Sequence, residues 1–133
     1  MRDRASETTI LVNGQSLTVW QWAGDSPPLV LCHATGFHGR CWDQIVARLP
    51  GRHCIALDFR GHGRSSKPAP PYSWRAFGDD LAAILAALNI RDAVGVGHSM
   101  GGHSLVHAAA GMPQAFSRLV LLDPVIRPRP AYT

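Results

Sequence analysis

The chain has 133 residues, 46% of them hydrophobic and 17% charged, with a formal net charge of +4. That length makes about one domain, that apolar share excludes a disordered chain, and no apolar run approaches the roughly 18 residues that would span a bilayer. The twelve arginines and single lysine are scattered along the chain, so the basicity reads as solubility, and neither a nucleic acid nor a membrane is expected as a partner.

Met1 to Glu7 mixes charges and has no apolar core, so no secretory signal is expected. Cys32, Cys41 and Cys54 are an odd count at spacings of neither a disulfide framework nor a zinc site. Reduced thiols, a cytoplasmic location and no metal are the expectation. Asn13-Gly14, between β-rich runs at 9–12 and 17–22, predicts an antiparallel hairpin. Residues 29–33 form a continuous apolar run of the kind buried on both faces of a parallel sheet. A helix over 42–49 follows, closed by Pro50-Gly51.

Residues 53–58 predict a second buried strand, leading into a turn-rich stretch at 60–66 and a proline loop at 68–71. Ser73 reads as a helix N-cap, ahead of one apolar stripe made by Phe77, Leu81, Ile84, Leu85 and Leu88. A third parallel-type strand at 93–97, a helix at 100–111 and a strand at 118–123 complete the pattern. Strand and helix alternate from residue 29 onward, which argues an α/β fold with a mostly parallel sheet and flanking helices.

Gly97-His98-Ser99-Met100-Gly101 fits G-x-S-x-G between a buried strand and a helix. A sharp turn there strains the serine backbone, so the flanking positions must be small, as Gly97 and Gly101 are, with Gly102 adding room. The turn exposes the Ser99 hydroxyl as a nucleophile, and the helix that starts beside it offers free N–H groups to a developing oxyanion. The plainer reading is a serine N-cap in a glycine-rich strand-to-helix turn.

With these residues the sequence resembles the N-terminal part of the α/β-hydrolase fold family. The stretch from Leu31 through His33 and Phe37 to Trp42 is similar to the family's His-Gly oxyanion loop. Residues 58–65 resemble its Asp-x-Arg-Gly-x-Gly-x-Ser turn, and residues 97–102 its nucleophile elbow. The resemblance implies oxyanion donors at the backbone N–H of Met100 and of Thr35, with Phe37 as the second choice in the loop. It also implies that His33 hydrogen-bonds the loop, that His98 supports the elbow, and that His62 is structural. Ala34 departs from the family's usual glycine; if that position needs a positive φ, alanine costs on the order of 1 kcal/mol and misplaces the donor. His98, His103 and His107, in the turn and on the helix after it, are not placed to act as a base.

The family order is nucleophile, acid, histidine, and this chain reaches Thr133 just after the sixth strand with no histidine beyond His107. Asp123 is either an acid, as some family members place one there, or an Asp-Pro pair that ends the strand. Residues 1–133 are thus expected to be the N-terminal portion of one α/β-hydrolase domain, without the cap and the last two strands. The implied function is a serine hydrolase of carboxylic esters or related acyl compounds, forming an acyl-enzyme on Ser99. Its partner is a small-molecule acyl substrate, it needs no cofactor, and its histidine lies outside the chain. The alternative is a catalytically inactive, truncated or receptor-like member. The strand from Arg118 to Asp123 is expected to be an exposed edge that promotes self-association.

Overall fold

Asn13 and Gly14 have φ of 51° and 76°, the two left-handed positions that a type I′ turn demands. They join β1 (Ser6–Val12) to β2 (Gln15–Trp22) as an antiparallel hairpin in the computed structural model, which describes residues 5–126. The readings of Met1 to Arg4 and of the chain's end at Thr133 lie outside those residues. β3 (Asp25–Cys32) starts before the apolar run at 29, with its ladder irregular between Asp25 and Leu29. A 3-10 turn over Gly39–Trp42 then enters α1 (Asp43–Ala47). α1 is shorter than the expected 42–49, because the N–H groups of Arg48 and Leu49 reach back only three residues, to Ile45 and Val46, and that tightening ends the helix ahead of Pro50.

β4 (Arg52–Leu57) is followed by the glycine-rich turn and α2 (Trp74–Ala87). The Ser73 hydroxyl accepts the Arg75 N–H at 3.1 Å, as an N-cap does. β5 (Ala93–His98), α3 (Met100–Gly111) and β6 (Phe116–Leu122) follow. The six strands lie in the order β1-β2-β4-β3-β5-β6. The hairpin joins β4 antiparallel, and β4, β3, β5 and β6 run parallel.

α2 and α3 cover one face of the sheet, packing Phe77, Leu81, Ile84, Leu85 and Leu105 against Leu17, Val30 and Ile55. Trp42 and Val46 cover part of the other face, over Trp20, Trp22 and Leu31. Side chains of a strand alternate between faces, so while Leu119 and Leu121 join the α2/α3 core, Val120 and Leu122 look the opposite way. These two are 40% and 45% exposed. Asp80 interrupts the apolar stripe of α2: it is fully buried, accepts Arg60 through Nε and Nη2 at 2.6 and 2.8 Å, and accepts Asn13 Nδ2 at 3.0 Å. That cluster ties the hairpin turn, the loop after β4 and α2 together.

Candidate active site

β5 passes into α3 through Ser99, whose φ of 53° and ψ of −114° lie where a side chain is rarely tolerated. Such a conformation costs on the order of 1–3 kcal/mol and persists only when its surroundings over-determine it. They do so here. The Ser99 N–H donates to the Leu122 carbonyl at 3.0 Å, and the Ser99 carbonyl accepts the N–H groups of Gly102, His103 and Val125 at 3.0, 3.2 and 3.3 Å. The glycines let the backbones close in. A Cβ on Gly97 would lie 2.7 Å from the Gly101 carbonyl, and one on Gly101 would collide with the carbonyl of Cys32 and come within 2.6 Å of that of His33. The first turn of α3 is therefore seated against the end of β3, where the 33–39 loop begins. The Met100 N–H opens the helix, where no intrahelical acceptor exists.

His33 is fully buried, and both of its ring nitrogens are engaged. Nε2 accepts the Phe59 N–H at 3.0 Å, so the proton sits on Nδ1 and is donated to the Ala34 carbonyl at 2.8 Å. Burial is the main reason its pKa falls to about 4, and the ring holds the loop as a neutral strut. The loop then turns: the Phe37 N–H donates to the Ala34 carbonyl at 3.1 Å around Gly36, whose φ is 86°. The left-handed residue is therefore Gly36, and Ala34 is not at a positive φ. The expected strain at Ala34 is absent because the turn places its demanding position two residues later. Phe37 thereby commits its N–H within the turn, while Thr35 is exposed at its outer corner.

The remaining titratable groups are dispersed. His62 shares its Nδ1 with the Arg60 carbonyl at 2.9 Å and packs its ring 5.0 Å from that of His33. His107 pairs with Asp79 at 2.7 Å, His103 packs 5.3 Å from the Trp74 ring, and the exposed His98 ring lies 6.4 Å from Phe37. Asp123 is exposed at φ 47° and, among the described residues, makes no ion pair with a histidine. Among the described residues no three His, Cys, Asp or Glu side chains converge as a metal site requires, and no helix is long and apolar enough to cross a membrane.

Two cavities flank the exposed Phe37 ring. One, of about 540 Å³, is bounded by Thr35, His62, Tyr72, Trp74 and Phe77; the other, of about 370 Å³, by His33, Cys41, Trp42, Ile45 and Leu122. No local sequence signal marks Tyr72, just before α2, or Trp74, in its first turn, which border the loop through tertiary packing, and Asp58 is legible only as part of the 58–65 turn. That carboxylate is buried under three N–H donors: Trp20 Nε1 at 3.3 Å and Gly39 N at 2.7 Å on Oδ1, and Arg64 N at 2.9 Å on Oδ2.

The chain is 39% identical to a lipase, LipV, of Mycobacterium tuberculosis over 83% of its own length and 42% of the lipase's. It is 37% identical to a pimeloyl-[acyl-carrier protein] methyl ester esterase of Vibrio parahaemolyticus over 76% of its length and 38% of the esterase's. The solved structure of Est816, an N-acyl homoserine lactone degrading enzyme, superposes with a TM-score of 0.79 and 32% identity, covering 88% of this chain and 45% of that one. The chain thus spans less than half the length of each. The model of the alpha/beta hydrolase family matches residues 29–133, a span that takes in the sheet from β3 onward, the loop and the Ser99 turn, and the chain belongs to that family.

Proposed function

We propose that the chain supplies the nucleophile and oxyanion half of a serine hydrolase that acts on carboxylic esters or related acyl compounds. The observation that carries this reading is the strained φ of Ser99 at the strand-to-helix turn, where its side chain makes no cap hydrogen bond to the helix. The Ser99 Oγ attacks the carbonyl carbon while its proton leaves to a base, and the carbonyl electrons move onto the oxygen. That oxyanion is received by the N–H groups of Met100 and Thr35, and collapse expels the alcohol and leaves an acyl-enzyme. The apolar cavity beside Thr35 takes one arm of the substrate. His33, with both nitrogens engaged, serves as a strut, and the base is a histidine outside this chain.

Supplied with the part of the protein that carries the base, the chain should take a single fluorophosphonate adduct on the peptide that carries Ser99, and none as Ser99→Ala protein. The buried serines are engaged elsewhere: Ser65 donates to the Asp58 carbonyl at 2.5 Å and Ser104 to the Met100 carbonyl at 2.9 Å. An adduct on either of them, or no adduct at all, would overturn the assignment. Ser99→Ala should leave the melting temperature unchanged or slightly higher, because the hydroxyl contributes chemistry and not packing.

A further inference from the structure

The 33–39 loop hangs from two consecutive residues just past β4. At its start the His33 ring accepts the Phe59 N–H, and at its end the Gly39 N–H donates to Asp58 Oδ1. Between these anchors residues 35–38 are exposed, so the position of the Thr35 N–H is set by the two ends and the turn at Gly36. We propose that Asp58 is the positioning residue of this loop, acting through the Gly39 N–H. The inference rests on the reading of Thr35 as an oxyanion donor.

Asp58 is 1% exposed, and its carboxylate faces neutral donors alone. The nearby guanidinium groups are turned elsewhere: Arg40 is paired with Asp43, Arg64 with Glu7, and both stack on the face of Trp20. The requirement on residue 58 is therefore geometric. It must present acceptors in two directions, one toward Gly39 and Trp20 and one toward Arg64, and only a carboxylate does so; an asparagine would turn its NH2 against an N–H on one side or the other. The neighbours are shaped to the same end. A Cβ on Gly39 would lie 2.8 Å from Trp20 Cδ1 and 3.1 Å from Asp58 Oδ1, and one on Gly63 would lie 2.5 Å from the Asp58 carboxyl carbon. Both glycines let backbone close on this one side chain. Asp58 also fixes itself to the sheet, donating its N–H to the Thr18 carbonyl at 2.9 Å and accepting Ser65 Oγ on its own carbonyl. The carboxylate thus transfers the rigidity of β2 and β4 to a loop whose donor must sit within tenths of an ångström of the developing oxyanion.

Hydrogen exchange in the unaltered protein gives the first test. The Gly39 amide should be as protected as the amides of β4 and far slower than that of Thr35; exchange as fast as Thr35 overturns the proposal. Asp58→Asn should then raise exchange at Gly39 and across residues 35–38 by about tenfold or more while leaving β5 amides unchanged. With an activated phosphonate it should lower the maximal rate of Ser99 labelling about tenfold without weakening the initial binding step, because a misplaced donor is felt only in the transition state. Faster exchange confined to residues 60–66, or a labelling defect that lies in binding alone, refutes the role. If Asp58→Asn unfolds the protein, Trp20→Phe takes its place. It removes a different donor from the same oxygen, so loop exchange and labelling should stay as in the unaltered protein, and loosening of the loop by this change refutes the role of the Gly39 bond. Labelling is read with the part of the protein that carries the base supplied; failure of Ser99 to label there overturns the hydrolase reading, while the exchange measurements still decide whether Asp58 anchors the loop.

Discussion

Protonating His33 breaks the acceptor bond from the Phe59 N–H and charges a fully buried ring, and the consequence can be measured. Its pKa is about 4 in the folded protein and 6.5 ordinarily. Between those values the unfolded chain binds a proton at this residue that the folded chain does not. Stability should therefore be complete above about pH 6.5 and decline as pH falls toward 4, by on the order of 3 kcal/mol in all. Burial lowers His103 in the same direction, so urea titrations of His33→Gln beside the unaltered protein isolate the His33 share. That variant should show a flatter dependence between pH 7.5 and 4.5, and an equally steep one would show that the ring is not the sensor. Ala34 supplies a second test. Because it is not at a positive φ and is 5% exposed, Ala34→Gly should lower stability by about 0.5–1 kcal/mol through chain entropy. It should leave the rate of Ser99 labelling no higher.

The helix α2 shows what patterning reveals and what it conceals. Its apolar stripe and Ser73 cap are legible because the 3.6-residue period and the capping side chain are local properties, as is the Asn13-Gly14 turn. The burial of Asp80 is not local: its partners, Arg60 and Asn13, lie 20 and 67 residues away. The same holds at the site. The Ser99 turn is written in five consecutive residues, while the Asp58 anchor and the Tyr72 and Trp74 wall arise from convergence of separate elements, and the commitment of the Phe37 N–H depends on how the loop turns. Asp80→Asn should cost about 3 kcal/mol in denaturant unfolding, because it leaves Arg60 without its counter-charge in a site only 17% exposed at the arginine. Arg64→Ala, which breaks the exposed pair with Glu7, should cost under about 1 kcal/mol.

Among the described residues the sheet has two uncovered edges, β1 and β6, and the β6 edge borders the exposed Val120 and Leu122. Unpaired edges of apolar strands recruit further strands. We expect a second copy of the chain to fill the β6 edge, and a two-fold axis would make the two β6 strands antiparallel. Light scattering should show a mass that rises toward the dimer with concentration, and Val120→Lys should abolish the rise. A monomer throughout would remove the edge as a partner site. β6 has a further consequence through its exit. The Ser99 N–H and carbonyl are bonded to Leu122 and Val125, so the Ser99 turn is complete only once the chain has passed Val125. A polypeptide interrupted upstream of that residue loses the bonds that hold the strained serine, whereas one interrupted just downstream keeps them. A split-protein pair based on this fold should therefore place its junction after residue 125, and fragments divided between residues 99 and 122 should recover phosphonate reactivity only when their halves reassemble.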